Sequence, residues 1–81
     1  MIDNLTRVLD DVARERIKQD RKWGVQDRVA GHWLTILMEE VGEVCEEILN
    51  KQNSDSGIRE ELVQVAAVAI AWIENIDREN R

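Results

Sequence analysis

The chain has 81 residues, a length that suits one domain with one core. Its net charge of −6 is opposite to the basic surface that nucleic-acid-binding domains normally carry, so we do not expect nucleic acid as a partner. The longest apolar run, residues 65–73, is far shorter than the roughly 20 residues needed to cross a bilayer. We expect one soluble domain over residues 1–81 with no membrane contact, and the single Cys45, read as a core thiol, fits a reducing cytoplasm.

The chain contains no proline and only 4 glycines, which predicts long helices and few turns. Apolar residues recur at helical spacing in three segments, with approximate bounds 4–22, 30–51 and 57–77. The first helix has a cap at Asp3 or Asn4 and ends before Gly24. A polar loop at residues 50–57 supplies Asp55 or Ser56 as a cap for the third. The predicted fold is all-α.

The first helix ends in a basic segment that contains Lys18, Arg21 and Lys22. These side chains are either solvated beside local acids or positioned over an acidic helix or over phosphates. Trp23 follows, in a predicted loop with Gly24. Its ring either closes the end of the helical bundle, which the composition favours, or offers a flat surface for a base to stack on.

The central helix combines an apolar face with a cluster of glutamates. Glu40, Glu43 and Glu47 project along one edge of that face, and residues 32–49 contain no lysine or arginine. Like charges one turn apart repel by about 0.2–0.5 kcal/mol per pair. The cluster is therefore either a solvated acidic face or a site for Mg²⁺, Mn²⁺ or Ca²⁺, ions that favour carboxylate oxygens.

The third helix is apolar on every side over residues 62–73 except at Gln64. A helix of this kind must be covered all round, and two other helices do not achieve that, so we expect three long helices in a bundle completed by homo-oligomerisation. Glu61 and Gln64 share a face because they are three residues apart. In one interpretation, Glu61 compensates the helix dipole and Gln64 forms a hydrogen-bond bridge in the core. In the other, both residues face Glu40 and Glu43 in a metal site.

Three segments together match the pattern of a known family. Residues 39–43 read Glu-Glu-Val-Gly-Glu, residues 61–64 read Glu-Leu-Val-Gln, and residues 19–26 read Gln-Asp-Arg-Lys-Trp-Gly-Val-Gln. Over nearly its whole length the chain resembles the MazG-like all-α nucleoside triphosphate pyrophosphohydrolases, whose signature is Glu-Glu-x-x-Glu followed by Glu-x-x-Asp. Gln64 stands where that family usually has aspartate.

The resemblance implies Mg²⁺-dependent cleavage of a ribo- or deoxyribonucleoside triphosphate to the monophosphate and pyrophosphate, with Mn²⁺ as a second candidate ion. It implies a homodimer or homotetramer, and nucleotide-pool housecleaning as the task. By position, the resemblance assigns the ion to Glu40, Glu43 and Glu61, with Gln64 offering a neutral amide oxygen. Glu39 is a further ligand or orients the attacking water, so that Glu39 and Glu40 are the catalytic candidates.

The substrate would then lie between the acids and the basic segment. The candidate phosphate-binding residues are Lys18, Arg21 and Lys22, and the candidates for contact with the base are Trp23 and Trp33. The alternative function is a catalytically weak or inactive helical oligomer that acts as a protein-interaction module.

Overall fold

A computed structural model describes residues 3–50 and 55–80 of the chain. They form three α-helices in chain order, α1 (Asn4–Trp23), α2 (Ala30–Asn50) and α3 (Asp55–Glu79). The predicted all-α fold with three long helices is thereby confirmed. None of these helices, as far as the chain is described, has the length and apolar character needed to span a lipid bilayer.

Local interactions define both ends of α1. The carboxylate of Asp3 accepts a 2.8 Å hydrogen bond from the N–H of Thr6, as an N-cap does. Gly24 terminates the helix with φ 75°, a left-handed conformation that glycine adopts without a steric penalty. Its N–H donates to the carbonyl of Asp20 at 2.8 Å. Trp23 is therefore the last residue of α1 and not a loop residue as predicted.

The connection between α2 and α3 is shorter than predicted. α2 ends at Asn50 and α3 begins at Asp55, so the predicted loop over 50–57 overlaps both helices, and its residues 51–54 lie outside the described part. Asp55 and Ser56, predicted as caps, are the first residues of α3 itself.

α3 is the helix to which the other two are attached. It packs against both α1 and α2, whereas α1 and α2 do not pack against each other over residues 3–50. The buried apolar side chains lie at these two contacts, Val12 on α1, Trp33 on α2, and Ala67 and Val68 on α3. Because only α3 joins the outer helices, a cleft is left between them.

Several apolar residues predicted to be buried are exposed in the single chain. Ile17 on α1, Ile48 on α2 and Ile73 on α3 are 53%, 46% and 56% exposed. Cys45, predicted to be a core thiol, is exposed as well. The reason is geometric: α3 covers one side of each outer helix, and the outer helices do not cover each other over residues 3–50. Ile73 lies on a side of α3 that the described parts of α1 and α2 leave exposed.

Candidate metal centre and adjoining cleft

Three glutamates from two helices meet in one cluster. Glu40 and Glu43 lie one turn apart on α2, and Glu61 lies on α3. One carboxylate oxygen from each lies within 4.8 Å of the other two. Glu43 and Glu61 are each about two helical turns from the short α2–α3 connection, so antiparallel packing brings them to the same level. Of the two alternatives open for Glu61, the structure shows the one in which it lies beside Glu40 and Glu43.

Two oxygens of this cluster lack a hydrogen-bond partner among the described residues. Oε2 of Glu40 and Oε2 of Glu61 are buried, and neither makes a hydrogen bond with any described residue. None of the ion pairs formed by residues 3–50 and 55–80 includes a member of the cluster. A buried, ionised oxygen without a partner is unfavourable, so the cluster favours either protons or a cation.

The surroundings of the cluster raise the pKa of two of its members, Glu61 and Glu40. Burial, followed by the hydrogen bond and charge of Glu43, raises the pKa of Glu61 to about 7. Burial and the charge of Glu43 likewise raise the pKa of Glu40 above its ordinary value. Near pH 7 the cation-free cluster is therefore partly protonated, and a divalent cation would displace that proton.

The donor set fits a hard cation. All three side chains offer carboxylate oxygens, the ligands that Mg²⁺ and Mn²⁺ prefer, and the two oxygens without partners need a positive charge. Mg²⁺ is commonly held by one or two carboxylates together with water and phosphate oxygens. Glu40, Glu43 and Glu61 are therefore suitable ligands for such an ion.

Two further residues predicted for this site, Glu39 and Gln64, lie beside the three-glutamate cluster in different environments. Glu39 is exposed and does not join the three-glutamate cluster, because one residue step turns the helix by about 100°. Its predicted role as a further ligand or as the residue that orients the attacking water stays a prediction. Gln64 is half-buried and lines the adjoining cleft together with Glu40, so the structure brings its amide to the same cleft wall as one cluster member.

The cleft between α1 and α2 has a volume of about 520 Å³, and α3 forms its floor. This volume is in the range of small-molecule pockets, about 300–1,000 Å³. Glu40 belongs both to the carboxylate cluster and to the cleft wall. A ligand in the cleft would therefore be adjacent to the candidate metal site.

Four of the five predicted substrate-binding residues line this cleft, namely Lys18, Lys22, Trp23 and Trp33. Arg21 does not line it. The physical reason is helical rotation. Gln19 and Trp23 face the cleft, and Arg21 is about 200° around the helix from each of them.

The two tryptophans in the cleft wall have opposite environments. Trp33 is 5% exposed, and its indole N–H donates to Oδ1 of Asn75 at 2.7 Å. Trp23 is 63% exposed, and the Nζ atom of Lys22 lies 4.8 Å from its ring centroid. The expectation that Trp23 closes the end of the bundle is therefore wrong. Trp33 fills the core instead, because its position on α2 faces α3.

Sequence reasoning missed Asn75, which is almost completely buried. Its oxygen accepts hydrogen bonds from the N–H of Arg28 and from Trp33, at 2.8 Å and 2.7 Å. Its amide nitrogen donates to Asp27 and Glu79, at 3.1 Å and 3.2 Å. All four of its hydrogen-bonding positions are thus used. Three of them attach α2 and the loop before it to α3, and the fourth bonds Glu79 within α3. The only signal in the sequence was one polar residue after an apolar run, which is an ordinary pattern.

The site thus consists of an oxygen-only carboxylate cluster and a cleft lined by lysines and aromatic rings, and the two parts share Glu40. No charged group of the opposite sign from the described chain neutralises the cluster. Among known proteins, no family model, no curated protein and no solved structure matches this chain.

Proposed function

We propose that this protein is a MazG-like, Mg²⁺-dependent hydrolase of the cytoplasm that cleaves nucleoside triphosphates to the monophosphate and pyrophosphate. The observation that carries the proposal is the shared position of Glu40, in both the carboxylate cluster and the wall of the cleft. An ion held by the carboxylates would contact phosphates bound in the cleft. Mn²⁺ has the same ligand preferences and is the second candidate ion.

The order of side chains along α1 supports a nucleotide as the ligand. Glu15 lies close enough to Glu40 to help raise its pKa. Lys18 and Lys22 follow one turn apart, and Trp23 ends the helix, all in the cleft wall. At about 1.5 Å per residue, Glu15 and Trp23 are about 12 Å apart along the helix axis. Along α1 the acidic, basic and aromatic side chains thus come in the same order as the metal ion, the phosphates and the base of a bound nucleotide.

Each group has a defined role in the proposed hydrolysis. When bound, the ion would neutralise part of the phosphate charge and lower the pKa of a coordinated water. Glu43 and Glu61 provide carboxylate ligands, and Lys18 and Lys22 provide charge for phosphate oxygens. Glu40, which belongs to both the cluster and the cleft wall, is the residue we assign to accept the proton of the attacking water. Water adds to one phosphorus of the α–β anhydride, and the P–O–P bond breaks to release pyrophosphate.

We also propose that the working unit is a homodimer or homotetramer. The supporting observation is that large apolar side chains on every helix are more than half exposed in the single chain, among them Leu5, Leu9, Leu34, Leu49, Leu62 and Ile73. Exposed apolar surface of this extent typically marks an interface. Sedimentation equilibrium or light scattering should therefore give two or four times the mass of one chain, and a monomer at micromolar concentration would contradict the proposal.

The same exposed surface also favours the alternative, a helical interaction module without catalytic activity. The two functions make opposite predictions about divalent cations. Hydrolysis requires Mg²⁺ at the carboxylates, whereas a surface that only binds a partner responds about equally to Mg²⁺ and to monovalent salt of matched ionic strength.

The decisive experiment measures pyrophosphate release from ribo- and deoxyribonucleoside triphosphates, with Mg²⁺ and with chelator. Glu40→Gln and Glu61→Gln are compared with Glu46→Gln, a control on the exposed side of α2. We expect Mg²⁺-dependent release that falls about 10²-fold or more in Glu40→Gln, the size typical of a lost acid–base group. The control should retain wild-type activity. Folded protein that cleaves no triphosphate would favour the interaction module.

A further inference from the structure

One side of α3 is apolar and has no partner in the single chain. Leu62, Ile73 and Ile76 are exposed on this side, and Ala66 and Ala69 lie between them. We call these five residues the α3 seam. Their spacing of 4, 3, 4 and 3 residues is the heptad repeat by which one helix packs along another. Residues 62–73 contain no charged side chain, so the seam has the composition of an interface core and not of a solvated helix face.

The seam lies opposite the part of α3 that the other helices cover. Ala67 and Val68 are buried where α3 packs against α1 and α2, and their mean direction is about 190° around the helix from that of the seam. Gln64 and Ala71, which line the cleft, lie on the same side of α3 as this buried pair. A partner placed on the seam would therefore cover exposed apolar surface and leave the cleft open.

The charges at the two ends of the seam identify a second copy of this chain as the partner. Arg59 precedes the seam and Asp77 follows it, and both lie along the same edge because the 18 residues between these positions make five helical turns. In an antiparallel pair of identical helices, Arg59 of each copy would lie beside Asp77 of the partner subunit, so opposite charges would meet at both ends. In a parallel pair, like charges would meet instead.

Both side chains are available for such a contact. Asp77 takes part in none of the ion pairs formed by residues 3–50 and 55–80. Arg59 forms an ion pair with Asp11 at 2.8 Å, but about half of its side chain remains exposed. A guanidinium has five N–H donors, so Arg59 can bind a second carboxylate without releasing the first.

We infer that α3 packs antiparallel against α3 of a second copy through the seam, an inference that rests on the proposed homo-oligomer and specifies its interface. The two-fold axis passes between Ala66 and Ala69, whose small side chains allow the two helix axes to approach closely. Leu62 of each copy then packs against Ile73 of the partner subunit. The contact is closed, because the same patch serves both copies.

The first test measures the mass of the assembly by sedimentation equilibrium at micromolar concentration. Ile73→Lys places a charge within the seam and should halve the mass, from dimer to monomer or from tetramer to dimer. The matched control is Val29→Lys, because Val29 is an exposed apolar residue in the loop before α2, outside the seam. It should leave the mass unchanged. Circular dichroism checks that both variants keep their helices.

The second test exchanges the charges at the ends of the seam. Arg59→Glu and Asp77→Lys should each weaken association about 10-fold, because each replaces two surface ion pairs by repulsive contacts. The double variant should regain wild-type association, since opposite charges then meet again with exchanged signs. The two positions are about 27 Å apart within one chain, so this recovery arises only between copies. Asp11→Asn removes the partner of Arg59 within the chain and should leave association unchanged.

The outcomes separate the interface from the other proposals. An oligomer whose mass is the same in Ile73→Lys would overturn the seam as its interface while leaving the homo-oligomer intact. Single charge variants that associate normally, or a double variant that does not recover, would overturn the antiparallel pairing. A monomeric wild type would overturn both the interface and the homo-oligomer, whereas pyrophosphate release tests the proposed hydrolysis independently.

Discussion

The indole N–H of Trp33 donates a 2.7 Å hydrogen bond to Oδ1 of Asn75, and both side chains are buried between α2 and α3. The same oxygen accepts the backbone N–H of Arg28. One amide on α3 thus determines the position of the tryptophan in the cleft wall and of the arginine that lies over it. The core and the candidate base-binding end of the cleft are therefore joined through Asn75.

Asn75→Ala should destabilise the protein by about 1–3 kcal/mol, because it leaves the buried N–H of Trp33 without an acceptor. Urea unfolding followed by circular dichroism measures this change. Asn80→Ala is the matched control, since Asn80 is exposed at the end of α3 and should change the free energy of unfolding by less than about 0.5 kcal/mol. Equal effects of the two substitutions would show that the Trp33–Asn75 bond does not stabilise the fold.

In chelator, the protein should become less stable as pH rises from about 4.5 to about 7. The pKa of Glu61 is raised from 4.5 to about 7 in the folded chain, so the folded state binds its proton more tightly than the unfolded state. Stability is then greatest below the unfolded pKa and declines as the pH approaches the folded pKa. Thermal melts across this range test the sign. Glu61→Gln should flatten the profile, and Glu46→Gln should leave it unchanged.

Millimolar Mg²⁺ should raise the melting temperature at pH 7.5, because an ion that binds only the folded state stabilises it by mass action. A free Mg²⁺ concentration of 100 times the dissociation constant corresponds to an increase of about 2.7 kcal/mol in the free energy of unfolding. The control is sodium chloride at matched ionic strength. Glu40→Gln and Glu61→Gln should abolish most of the Mg²⁺ effect. A wild-type protein that responds equally to both salts would contradict a specific ion site.

Two glycine substitutions should have opposite effects. Gly24→Ala should destabilise the protein by about 1–2 kcal/mol, because its φ of 75° is unfavourable for a residue with a Cβ. Gly42→Ala lies within α2, where an added Cβ meets no atom within 4 Å in the single chain. It should stabilise the helix by about 0.5–1 kcal/mol. Denaturant unfolding measures both, and a loss of stability in Gly42→Ala would indicate that another subunit packs at that position.

Interactions between residues close in the chain were predictable from the sequence. The Asp3 cap and the Gly24 stop each depend on a few neighbouring residues, and both are observed. Glu40 and Glu43 share a face because a helix repeats about every 3.6 residues. The approach of Glu61 was predictable for a related reason, since consecutive helices with a short connection pack antiparallel.

Interactions that depend on which face of a helix meets its neighbour were not predictable. Sequence alone determined that the chain forms three helices and that Glu40 and Glu43 share one face of the second. Only the tertiary structure decided that Trp33 fills the core while Trp23 lies exposed, that Arg21 faces away from the cleft, and that Asn75 is a buried hydrogen-bonding centre. The reason is that helical periodicity depends on local backbone geometry, whereas burial depends on the direction from which α3 packs against each outer helix.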